Sequence, residues 1–276
     1  MINKKDIRIR DPFILTDKEN KCYYMYGTTS LIKDSLRTHT SLSVYKTYDL
    51  ENFEEPKIIF EGKDIGFWAS RDYWAPEVHK YNGRYYLFGS FNSDTRRRGT
   101  QILVCDTPDG RFTPLTEFPV TPEEWECLDG TLWVENGIPY IVFCHEWTQI
   151  SNGEICAMPL SADLSRAIGE PTVLFKASEN PAVTSHKKPT VYVTDGPFLF
   201  CEDGKLKMMW SSISNKRYQV LIAESDSLLG KWTHYDGQFD FDGGHAMLFE
   251  NLDGERMISL HSPNTANDER AVFYKY

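Results

Sequence analysis

Apolar side chains along this chain fall in short runs, many alternating with polar ones, and clusters of Gly, Pro, Asn and Asp separate them. A helical period is almost absent, so the pattern predicts an all-β protein. The runs come in adjacent pairs. Asp11-Pro12-Phe13-Ile14-Leu15 turns between Asp17 and Asn20 into Cys22-Tyr23-Tyr24-Met25-Tyr26-Gly27. Ala75-Pro76-Glu77-Val78-His79-Lys80-Tyr81 turns at Asn82-Gly83, and Leu128-Asp129-Gly130-Thr131-Leu132-Trp133-Val134 turns at Asn136-Gly137. Asp195-Gly196-Pro197-Phe198-Leu199-Phe200 turns at Asp203-Gly204, and His245-Ala246-Met247-Leu248-Phe249 at Asp253-Gly254. Asn-Gly and Asp-Gly suit a type I′ hairpin, whose two central residues both need positive φ.

These pairs recur about every 50 to 65 residues, the spacing of propeller blades with four strands each. Outer-strand candidates lie between them, among them Ser43-Val44-Tyr45, Gln101-Ile102-Leu103-Val104 and Gln219-Val220-Leu221-Ile222-Ala223. The expectation is a five-bladed β-propeller with about four antiparallel strands per blade. A ring of blades must close, so residues 1–276 are expected to form one domain. A β-sandwich also accommodates short strands, but it does not explain a polar residue at the opening of each pair.

In a propeller the innermost strands all begin at one end of the axis, so their opening residues converge. Here those are Asp11, Glu77, Asp129, Asp195 and His245. Clustered carboxylates repel one another, and packing alone would not select them. Such a cluster is tolerated where it holds a metal or moves protons. The hairpin ends bring His145, Glu146, Trp147, Ser211, Ser212 and His261 to the same face. Trp74, Trp147, Tyr73 and Phe91 are candidates for stacking on a sugar, or equally for core.

Composition narrows the class. The chain of 276 residues is 41% hydrophobic and 14% aromatic, which suits strands and sugar faces alike. A net charge of -10 argues against a nucleic-acid partner. The basic run Arg96-Arg97-Arg98 and the triplet His186-Lys187-Lys188 read as solvated loops. The six cysteines form no CxxC pair, and most lie in apolar runs, so they read as buried free thiols in a reducing compartment. No apolar leader or membrane-length stretch is seen, so a cytoplasmic protein without a membrane partner is expected. Phosphate loops, zinc-protease and nucleophile-elbow motifs and dinucleotide fingerprints are missing. Oligomeric state is left open.

The runs Arg10-Asp11-Pro12-Phe13-Ile14, Trp74-Ala75-Pro76-Glu77-Val78, Leu128-Asp129-Gly130-Thr131-Leu132 and Gly243-Gly244-His245-Ala246-Met247 together resemble glycoside hydrolase family 43, in order and over essentially the whole chain. The resemblance implies an inverting glycosidase acting on arabinose- or xylose-containing glycans. It makes Asp11 the general base and Asp129 the residue that orients the acid and raises its pKa. It makes His245 a ligand of a possible structural calcium on the axis, with water completing the shell and no cofactor needed for the chemistry. The family's acid is usually a Glu before Gly-Pro, and here that place reads Asp195-Gly196-Pro197. Asp195 is the first candidate for the acid, Glu146 the second, and Glu126 in Trp125-Glu126-Cys127 the third. Trp74, Glu77, Trp147, Phe91 and His261 are the expected substrate contacts. Exo action on short oligosaccharides is the leading expectation, as an α-L-arabinofuranosidase or β-xylosidase. An endo-arabinanase and a non-catalytic carbohydrate-binding propeller are the alternatives. A retaining fructosidase is disfavoured because its Asn-Asp-Pro-Asn opening is missing.

Overall fold

The computed structural model describes residues 1–29, 40–235 and 242–276. Five antiparallel sheets follow one another along the chain and are arranged as a five-bladed β-propeller. The first blade is built on Arg10–Asp17, Cys22–Thr28 and Ser41–Thr47, with Lys57–Glu61, Asn52–Phe53 and Ile2–Asn3 extending its outer side to six strands. Blades two to four have four strands each, and they open on Arg71–Tyr81, Cys127–Glu135 and Asp195–Glu202. Among the described residues the fifth has three: Gly244–Glu250, Arg256–Ser262 and Arg270–Lys275. The sequence expectation of about four strands per blade therefore holds on average, with both departures at the two ends of the chain.

The hairpin signals act as their chemistry requires. Asn82 and Gly83, Asn136 and Gly137, and Asp203 and Gly204 all have positive φ, as a type I′ turn demands. At Asp253-Gly254 only the glycine does. The hydrophobic core lies between blades. Met25, Phe60, Tyr73 and Phe91 pack where the first two meet, Phe88, Ile102 and Phe143 between the next two, and Phe175 and Trp210 between the third and fourth. Met209, Val220, Ile258 and Leu260 fill the last gap between neighbours in sequence. Losing a buried ring such as Trp210, which is fully enclosed, would cost about 3–5 kcal/mol.

Among the described residues no strand is exchanged between the first and last sheets: Ile2–Asn3 pairs within the first blade. Closure comes instead from side chains and single backbone bonds. Ile9 N–H donates to the Glu269 carbonyl (3.2 Å), and the Glu269 carboxylate accepts from Arg8 and Arg10. Ser259 Oγ donates to the Pro12 carbonyl (2.8 Å). The cysteines are all free: Cys22, Cys127, Cys144 and Cys156 are buried, Cys105 is half-buried, and Cys201 is exposed.

Candidate active site

Every innermost strand carries a β-bulge near its start, where pairing with the second strand shifts register. A bulge of this kind holds one residue in the left-handed region and re-aims its side chain. The residues so held are Asp11 (φ 54), Ala75 (45), Asp129 (54), Gly196 (53) and His245 (54). The second blade carries a further one at Asp72 (φ 55). Equivalence around the ring is thus set by the bulges. Asp11, Asp129 and His245 occupy the bulge position, Asp195 lies one residue before it, and Glu77 two residues beyond it.

The N–H of each bulge residue points away from its own ladder and is caught from the neighbouring blade. Thr28 Oγ1 accepts from Ala75 (2.8 Å), Ser90 Oγ from Asp129 (2.8 Å), and Ser211 Oγ from His245 (2.7 Å). His261 Nδ1 accepts from Asp11 (3.2 Å). At Gly196 the acceptor is instead the Asp129 carboxylate, Oδ2 at 3.0 Å. A Cβ at Gly196 would come within 2.6 Å of the His245 ring, so the glycine lets the imidazole lie against the backbone.

The charges at the axis are tightly interdependent. His245 Nδ1 lies 3.3 Å from Asp11 Oδ1 and 3.7 Å from Asp129 Oδ2. Burial alone would lower its pKa, but the Asp11 and Asp129 carboxylates push it up to about 10, so the ring is a buried imidazolium at neutral pH. Asp11 shows the converse. Burial pushes it up, yet the His245 charge, a hydrogen bond to that ring and the Arg10 guanidinium hold it well below the usual carboxylate range. Thr28 Oγ1 also donates to Asp11 Oδ2 (3.0 Å). Burial leaves His261 with a lowered pKa. With Nδ1 accepting from Asp11 N–H, its Nε2–H is free to donate to Asn264 Oδ1 (3.3 Å).

Asp129 and Asp195 form a coupled pair of buried carboxyls. Burial raises Asp129 to about 8, helped by the Asp195 and Asp11 charges and opposed by His245. Burial likewise raises Asp195 to about 6, with Glu146 and Asp11 adding to it while His245 and a hydrogen bond from Tyr218 act against. One cluster therefore holds an ionised carboxylate and a carboxyl pair that keeps its protons above the ordinary range.

Arg10, Asp11, Thr28, Asp129, Asp195, Tyr218 and His245 line one cavity of about 780 Å³, and His261 does not. Trp74, Glu126, Glu146, Trp147, Lys187 and Glu269 also line it. Among the described residues, the expected solvated basic run is divided. Arg97 is on the surface, whereas Arg98 is buried, with Nη1 donating to Glu146 (2.5 Å), Nη2 to Asp72 (3.0 Å), and the guanidinium 4.4 Å from the Trp74 ring. A buried guanidinium needs paired carboxylates, and Asp72 and Glu146, brought in from two blades, supply them. Glu146 is thereby engaged as a charge acceptor. Glu126 accepts from the Arg98 backbone N–H (3.1 Å) and from Arg97 (3.4 Å). Lys187, from the other expected solvated loop, reaches the cavity wall, and His186 packs edge-on against Trp147 at 5.5 Å.

Other expected contacts lie elsewhere. Phe91 and Tyr73 are fully enclosed between blades one and two, their rings 4.8 Å apart, and neither can meet a sugar. Glu77 is buried below the site, bonded to His79 (3.0 Å). His261 lies behind Asp11 and touches it, not the cavity. His145 stacks on Trp125 (4.1 Å) outside the cavity lining. Ser211 and Ser212 serve the backbone, as acceptor from His245 and donor to Val193. Sequence reasoning missed Arg98 and Tyr218. For Arg98 the adjoining glycine and two flanking arginines gave a surface signal, while its burial depends on a contact with the next blade.

The expected calcium, held by His245 with water completing its shell, is not one that a cage of side chains would mark. Calcium takes six to eight oxygen ligands, and among the described residues no group of three or more His, Cys, Asp or Glu is arranged to hold a metal. The carboxylates nearest His245 are already spent on its ring.

A propeller with carboxyls of opposed protonation converging on one axial cavity defines a glycosidase of the five-bladed class. The glycosyl hydrolases family 43 profile matches residues 5–273, and the chain belongs to that family. It is similar to the crystal structure of an endo-arabinase from Bacteroides thetaiotaomicron, with 41% identity and a TM-score of 0.91, covering 100% of this chain and 96% of that one. Extracellular endo-alpha-(1->5)-L-arabinanase 1 of Bacillus subtilis is 22% identical over 262 residues, 87% of this chain and 72% of the relative. An α-L-arabinofuranosidase from Lactobacillus brevis shares the fold, with a TM-score of 0.76 and 16% identity over 99% of this chain and 94% of that one.

Proposed function

We propose that this glycosidase cleaves internal α-1,5 bonds of arabinan with inversion of configuration. The observation that carries the mechanism is the split in protonation: Asp11 held ionised by His245, and the Asp129–Asp195 pair raised by burial above the ordinary carboxylate range, all facing one cavity. Inversion requires a base and an acid on opposite faces of the sugar. Asp11 takes a proton from a water as its oxygen attacks the anomeric carbon. The glycosidic C–O bond breaks, and Asp195 gives its proton to the departing oxygen. Burial and the Glu146 and Asp11 charges raise the Asp195 pKa, and Asp129 is bonded to Gly196 beside it. Glu146 is the weaker candidate for the acid, because Arg98 holds it as an acceptor. Glu126 likewise accepts from the Arg98 backbone. Trp74 and Trp147 offer the exposed ring surfaces along the wall.

Endo action, the alternative on sequence grounds, now takes precedence over exo action. The Bacteroides and Bacillus proteins are both named as endo-acting, and a cavity of about 780 Å³ exceeds a single pentose. Linear α-1,5-arabinan is the test substrate. A ladder of arabino-oligosaccharides at early times supports the proposal. Free arabinose as the sole early product indicates exo action, and no new reducing ends indicates a binding propeller.

A further inference from the structure

Four of the five bulge N–H groups are caught by a residue at one structural position: the second-strand residue paired with the one just before the bulge. Thr28 pairs with Arg10, Ser90 with Trp74, Ser211 with Asp195 and His261 with Gly244. Each accepts the bulge N–H of the blade that follows. In the third blade that position, paired with Leu128, is Cys144, which is fully buried. There the bulge N–H of the next blade, on Gly196, goes to Asp129 Oδ2 instead.

We infer that Cys144 is a positioning residue, and that its lack of an oxygen hands the Gly196 N–H to the Asp129 carboxylate. A thiol sulfur is a weak acceptor and is poorly matched to an N–H that oxygen or nitrogen takes elsewhere in the ring. A carboxyl oxygen, protonated side chain or not, is the stronger acceptor and wins the bond. Gly196 directly follows Asp195, so the bond draws Asp129 across the blade boundary and fixes it against Asp195. The ring itself is the internal control: wherever an oxygen or nitrogen stands at this position, it takes the next blade's N–H. The inference rests on the reading that Asp129 and Asp195 act together in glycoside cleavage.

Two size-matched pairs test it: Cys144→Ala with Cys144→Ser, and Cys144→Val with Cys144→Thr. Each second member adds an oxygen at the catching position. Kinetics on linear arabinan should group by oxygen and not by size. The Ser and Thr variants are expected to lose on the order of ten- to a hundredfold in kcat through misplacement of Asp129, while KM stays within about threefold. Ala and Val are expected to lose less than their oxygen-bearing counterparts. Grouping by size, or a Ser variant at least as active as Ala, would overturn the inference. A crystal structure of Cys144→Ser separates this question from the choice of substrate. The introduced hydroxyl should lie within hydrogen-bonding distance of Gly196 N with Asp129 released. Asp129 still bonded to Gly196 would refute the inference whatever glycan the enzyme cleaves.

Discussion

Arg98→Met isolates the charge that holds the cavity wall together. The guanidinium lies between Glu146 (2.5 Å) and Asp72 (3.0 Å), and the three side chains are 10%, 8% and 6% exposed. At such separations each contact represents about 6 kcal/mol of gross attraction in an effective dielectric near 20, against which the desolvation of all three groups is set. Removing one partner of a buried pair leaves the others uncompensated and costs about 3–5 kcal/mol. Arg98 Nε and Asp72 Oδ1 are buried without partners, which places the expected loss at the lower end of that range. Met keeps an unbranched chain against Trp74, so packing is largely retained. At about 2–4 °C per kcal/mol for a chain approaching this size, a loss near 3 kcal/mol should bring thermal unfolding about 6–12 °C earlier. Differential scanning calorimetry reads this directly. Adding Asp72→Asn and Glu146→Gln to Arg98→Met should recover much of the loss. A change within about 1 °C for Arg98→Met would show that the group is solvated after all, as the bare sequence suggests.

Asp11→Asn should lower kcat by about 10²–10⁴-fold, measured by reducing-end release, because it removes the base, and it should also lower stability because the buried His245 ring loses a charged partner. The pH profile of kcat/KM should fall on its alkaline side near the value of about 6 carried by Asp195. A limb nearer about 8 would make Asp129 the proton donor. Activity needs the protonated acid, so the rate is lost as pH rises. Toward low pH the rate should persist below the ordinary carboxylate range, because Asp11 is held ionised there. Gly196→Ala should cost about 2–5 kcal/mol, the sum of a left-handed Cβ and a contact with His245, seen as a lower urea midpoint.

The blades were legible because their information is local. Asn82-Gly83, Asn136-Gly137 and Asp203-Gly204 each name a turn type, and the runs between them are long enough to be strands. The approach of Asp11, Asp129 and His245 was legible too, since a propeller brings equivalent positions together. The phase within that equivalence was not. Glu77 and Asp195 look like Asp11 in a linear pattern, yet the bulges fall at Ala75 and Gly196, so Glu77 lies below the cavity and bonded to His79. Bulge placement depends on what the adjacent blade offers the N–H, as Ser90 does for Asp129, and no single strand records that. Phe91 and Arg98 fail for the same reason in opposite senses. An aromatic at a hairpin end is enclosed by Phe60 and Tyr73, and a basic loop residue is drawn inward by Glu146 of the following blade.

The anomer released first tests the account most directly. Proton NMR during the early hydrolysis of linear α-1,5-arabino-oligosaccharides should show the β-anomeric reducing end before mutarotation. Release of the α-anomer would contradict attack by a water activated at Asp11, and with it the opposed roles of Asp11 and Asp195.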